Sequence, residues 1–134
     1  MDSRIAMVKE LNGTAYEDAL KGVRKALEAE GFGIITEIDV KETLKKKLDV
    51  DFRRYIILGA CMPAVAHRAI SADPLVGVLL PCNVVVMEKE GGGSMVAAFK
   101  PSAAFSLLEN PASLAPFAVD VEERISKALD RLRE

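Results

Sequence analysis

VGVLLPCNVVVMEKEGGGSMVAAFK, residues 76–100, decides the fold. Two apolar runs flank Gly91-Gly92-Gly93, and a glycine connector this short reads as a hairpin turn. The two runs are therefore expected to be neighbouring antiparallel strands. The first run is interrupted by Pro81, Cys82 and Asn83. Proline has no amide to give to a ladder, so Val76 to Glu90 reads as a strand that is bulged or lies at a sheet edge. In simple alternation Cys82 shares a face with Val78, Leu80, Val84 and Val86, and Asn83 points the other way.

Outward from this hairpin, the chain alternates strand-like and helical patterns. Arg4 to Leu11 is expected as a first strand, followed by an Asn12-Gly13 turn. Thr14 and Glu17 have capping-box spacing. Tyr16, Ala19, Leu20, Val23, Ala26 and Leu27 then form one stripe of a helix that Gly31 ends. In FGIITEID (residues 32–39), Phe32, Ile34, Thr36 and Ile38 are expected on one strand face. Asp39 and Glu42 cap a short lysine-rich helix. Residues 53–61, RRYIILGAC, give a third strand whose middle is apolar on both faces, so each face needs a cover. Pro63 opens a helix at a position where its missing amide costs nothing, and Asp73-Pro74 stops it. Asn110-Pro111 starts a last helix with Leu114, Phe117, Ala118, Val121, Ile125, Ala128 and Leu129 on one stripe. Two long amphipathic helices and about five strands predict a single α+β domain over residues 1–134, with a mostly antiparallel sheet and helices on one face.

At 134 residues the chain buries roughly 68% of its unfolded surface, enough for a core without metals or disulfides. The net charge of −2, with both signs dispersed, argues against a nucleic-acid or acidic-membrane partner. No apolar run approaches the roughly 20 residues that span a bilayer. The amino terminus lacks the pattern of a secretory signal, so a cytoplasmic protein with two free thiols is expected.

The unusual residues gather at two junctions. Cys61 ends a strand just before a helix, whose partial positive charge favours thiolate over thiol. Cys82 lies in the interrupted strand, and free cysteine is also among the commonest buried residues. His67, the lone histidine, sits one turn into the helix after Cys61. The spacing of Cys61, His67 and Cys82 matches no standard zinc module, so neither metal nor cofactor is expected. Glu37, Asp39, Arg53 and Arg54 are expected to form a polar patch on the open sheet face.

The strings TEIDVKETLKKKL (36–48), VDFR (50–53), ILGAC (57–61) and LLPCN (79–83) resemble the family catalogued as Domain of Unknown Function 302. The resemblance runs from about Ala15 to the last helix. It implies a small α+β domain with a curved antiparallel sheet backed by helices, and no established activity, cofactor or substrate. Two positions depart from the family's common form: Met62 stands where Asn is usual, and Arg54 where Pro is usual.

The functional expectation is a homodimeric small-molecule binding or sensing module, with its site at Cys61, Pro63, His67, Pro81, Cys82 and Asn83. Dimerisation follows from the third strand, which has too few elements to cover both faces. One alternative is a thiol enzyme with Cys61 as nucleophile and His67 as base. A further alternative is a structural or interaction protein in which both cysteines are packing.

Overall fold

In the computed structural model, which describes residues 3–133, Gly91, Gly92 and Gly93 all take positive φ and reverse the chain as a hairpin. A side chain at Gly93 would meet the backbone of Asn12 at 2.5 Å, so this turn is also pinned from outside. The strands are β1 (Ala6–Leu11), β2 (Gly33–Asp39), β3 (Tyr55–Cys61), β4 (Cys82–Glu88) and β5 (Ser94–Phe99). The α-helices are α1 (Tyr16–Ala29), α2 (Val40–Leu48), α3 (Pro63–Ala72), α4 (Pro101–Phe105) and α5 (Ala115–Asp130). The strands form one sheet in the order β1-β5-β4-β3-β2, antiparallel throughout. This is the α+β architecture expected. Among the described residues no helix is long and apolar enough to cross a membrane.

One face of the sheet is core. Leu58, Val84, Val86 and Val96 are essentially inaccessible and pack against Val23 and Leu27 of α1 and Val121 and Ile125 of α5. The other face carries a row that register sets side by side across all five strands: Val8, Ala97, Val85, Ile57 and Ile38. None of these five belongs to a core cluster. The middle of β3 is therefore apolar on both faces, as its sequence suggests, yet only one of them belongs to the buried core.

Two strand expectations need correction. β4 is not an edge strand: it is the central strand, paired to β3 and β5. Its ladder begins at Cys82, so Pro81 stands just outside it, after a cis Leu80–Pro81 bond, and interrupts nothing. Residues 74–79 are not strand but a 3₁₀ turn, because Asp73 and Pro74 start one. The Asp73 carboxylate accepts from the Leu75 amide at 3.0 Å, and Pro74 supplies the helical φ. The bulge lies instead in β2, where Ile34 faces Ala60 but Thr36 faces Gly59. Two residues of β2 thus oppose one step of β3, and the phase flips. Ile34 stays on the core face, whereas Thr36 and Ile38 move to the open face.

Helix ends follow the sequence in part. Gly31 takes φ +91° beyond α1, and Asp39 accepts from the Glu42 amide at 3.0 Å to cap α2. Such a cap stabilises a helix by about 1 kcal/mol. The Thr14–Glu17 box does not form: Thr14 donates to the Arg133 carbonyl, and Glu17 pairs with Arg54. Asn110 leads into a 3₁₀ turn (Pro111–Leu114), and α5 follows it. The expected polar patch also disperses. Glu37 lies opposite core residue Leu58 and pairs with Arg24 of α1, while Asp39 is occupied as a cap.

Candidate functional site

A second, smaller cluster packs beside the main core: Ala69, Val76, Phe105, Leu114 and Ala118. It is built from α3, α4, the two 3₁₀ turns and the start of α5. Leu80, Phe99 and Phe117 touch both clusters. The clusters do not merge completely, and between them lies a cavity of about 300 Å³. Its wall is Ala60 and Cys61 of β3, Met62, and the α3 face of Val65, Ala66, Ala69 and Ile70. Leu80, Pro81 and Cys82 close it at the start of β4, and Phe32, Phe105, Phe117 and Val121 complete it. Ile35 and Ile70 are exposed members of the wall.

Three of the sequence-predicted residues meet here: Cys61, Pro81 and Cys82. The two junctions converge because Cys82 pairs with Ala60, the residue before Cys61. Pro63, His67 and Asn83 are not in the wall. Pro63 begins α3 in an exposed position, and His67 is exposed on α3, where its carbonyl accepts from the Ser71 hydroxyl at 2.7 Å. Asn83 is exposed and opposite Gly59, on the other sheet face from Cys82. The α3 members were legible in principle, since 65, 66, 69 and 70 share one helical face. Phe32, Phe105, Phe117 and Val121 carry no local signal and are brought in only by tertiary packing. Met62 adds a thioether to a wall that is otherwise hydrocarbon, proline and thiol.

The electrostatics of the cavity are those of an apolar wall without fixed charge. Among the described residues, no titratable side chain besides the two cysteines lines it. Cys82 is 6% exposed, and its thiol is pushed up to about 12, first by burial and second by the charge of Cys61. It is therefore a neutral thiol at any physiological pH. Cys61 is half-buried and free. Among the described residues, no three His, Cys, Asp or Glu side chains gather in a way that could hold a metal ion.

A family model described as "Domain of unknown function DUF302" matches residues 7–132. The fold is similar to the crystal structure of an uncharacterized conserved DUF302 protein from Bacillus stearothermophilus. The two are 30% identical, with a TM-score of 0.85 over 96% of this chain and 98% of that one. No curated protein matches. A family match over nearly the whole chain, and the same sheet and helices in a relative, lead to one conclusion: this chain belongs to the DUF302 family.

Proposed function

We propose that the protein is a homodimeric binding or sensing module that takes a small apolar molecule into the cavity beside Cys61 and Cys82. The observation that carries this reading is the cavity itself, about 300 Å³ with an almost wholly apolar wall. Small-molecule sites are typically preformed apolar concavities of this size or larger. At roughly 30 Å³ of liquid volume per water, the space matches a ligand of about ten heavy atoms. The thiol-enzyme alternative keeps Cys61 in the wall, but among the described residues no base lines the cavity with it, which favours binding over chemistry. Two free thiols also suit a reducing compartment such as the cytoplasm.

Ala66 tests the cavity. It is a small, half-buried wall residue on a helix, so leucine there fills space without opposing the backbone. Ala66→Leu should reduce binding of an apolar probe such as 1-octanol by at least about tenfold, as expected when more than 1.4 kcal/mol of contact is displaced. Its Tm should stay within a few degrees of wild type. Equal probe binding by both proteins would overturn the reading.

The second copy would cover the open sheet face. Five strands at about 4.8 Å spacing and six residues at about 3.4 Å present roughly 20 Å by 20 Å. α2 has no buried residue and leans mainly on β2 and β3. Exposed Leu48 on it, and Val50 and Phe52 after it, extend the apolar surface. Together these approach the ~600 Å² per partner at the low end of stable interfaces. Sedimentation should give a dimer at high micromolar concentration, and Val85→Glu, in the middle of the apolar row, should give a folded monomer. A wild-type monomer at that concentration would end the dimer proposal.

A further inference from the structure

Resting on the reading of the cavity as a binding site, we infer that its ligand is an apolar molecule with an anionic head, a short-chain carboxylate, and that Arg68 receives the head. Phe117 lines the cavity, and the Arg68 guanidinium carbon lies over its ring, 5.7 Å from the centroid. Arg68 flanks the α3 face of Val65, Ala66 and Ala69 that forms the wall. Its charge is therefore one aromatic ring away from an uncharged cavity. Arg68 makes no ion pair among the described residues.

The contrast is Arg124, the other arginine near this region. A side chain at Gly31 would meet both its guanidinium and the Met62 methyl. Arg124 is tied down twice: Nε donates to Asp120 at 3.1 Å and Nη1 to the Glu30 carbonyl at 3.3 Å. Among the described residues, Arg68 has only the Phe117 ring beneath it. Guanidinium stacked on an aromatic keeps its in-plane N–H donors free, and those donors match a carboxylate in a two-pronged arrangement. A carboxylate with an apolar tail uses the wall and the arginine together.

The test compares two probes of matched tail on the full chain: octanoate and 1-octanol, at neutral pH, by calorimetric titration. Octanoate should bind roughly fivefold tighter, the scale of an ion pair to an exposed arginine. In Arg68→Gln the octanoate advantage should fall to within about twofold of octanol. Arg68→Lys should restore part of it. Arg68 is exposed, so these variants are expected to keep the wild-type Tm, which is measured alongside. Raised salt should narrow the gap between the probes. Equal binding of the two probes by the wild type would overturn the carboxylate inference and leave the apolar cavity standing. A gap that persists in Arg68→Gln would overturn the assignment to Arg68. Binding of neither probe would overturn both the inference and the reading beneath it.

Discussion

Gly59→Ala should destabilise the protein by about 3 kcal/mol, the upper end of overpacking penalties in closely packed sites. For a domain of this size that lowers Tm by roughly 10 °C. Gly59 sits in β3, opposite Asn83 of β4 and Thr36 of β2. A β-carbon placed there would collide with Thr36 Oγ1 and come within 2.7 Å of the Pro81 ring. The threonine can rotate away, but the proline ring is fixed to its own backbone and must move as a body. Pro81 is also part of the cavity wall, so the same substitution should weaken probe uptake. Thermal denaturation checks the first effect and titration the second. Thr36→Ala should recover part of the loss when combined with Gly59→Ala, because it removes one of the two collisions. A Tm within a degree or two of wild type would mean that the strand, the proline and the bulge are not packed this closely.

The same contact explains how far the sequence could be read. The periodicity of residues 16–29 and 115–130 places α1 and α5, and the glycine triplet places the β4–β5 hairpin. Together they give the antiparallel sheet with helices on one face. Strand position was less accessible. Pro81 looks like an edge marker only if it lies inside a strand. Asp73-Pro74 diverts residues 74–79 into a turn, so the ladder starts one residue after the proline and β4 sits at the centre of the sheet. The bulge that Pro81 suggested for β4 occurs in β2, beneath the proline's own packing position. Thr36 and Pro81 both lie against Gly59, from opposite directions along the chain, and no local pattern reports either approach. The site divides in the same way. Cys61, Pro81 and Cys82 stand out by residue type and do meet. Phe117 and Phe105 look like ordinary core residues. His67 and Asn83 stand out equally but lie elsewhere, because helix phase and strand alternation turn them outward.

Cys82→Val should raise the alkaline limit of folding. In the native protein the Cys82 thiol is held neutral up to about 12, by burial first and the Cys61 charge second, against an ordinary value of 9.0. Below pH 9 neither the folded nor the unfolded chain ionises this group, and its contribution to stability is intact. Between pH 9 and 12 the unfolded chain loses the proton and the folded chain keeps it. Stability then falls by about 1.4 kcal/mol per pH unit. Over the whole window the loss is on the order of 4 kcal/mol, a large share of the 5–15 kcal/mol typical of a domain. Above 12 both states are ionised and nothing more is lost. Valine is close to cysteine in shape and carries no proton, so the variant should lack this slope. Tyr16, raised by its own burial and then by Asp39, is a second group whose ionisation burial opposes. The informative quantity is therefore the difference in denaturant midpoint between wild type and variant at pH 8, 10 and 11, in which the Tyr16 contribution cancels. That difference should shift steadily towards the variant as pH rises. Thiol labelling gives a second reading: at pH 8 one thiol per folded chain should react, and Cys61→Ser should leave none. Parallel pH profiles for wild type and Cys82→Val, or two reactive thiols in the folded protein, would show that Cys82 is not shut away from water.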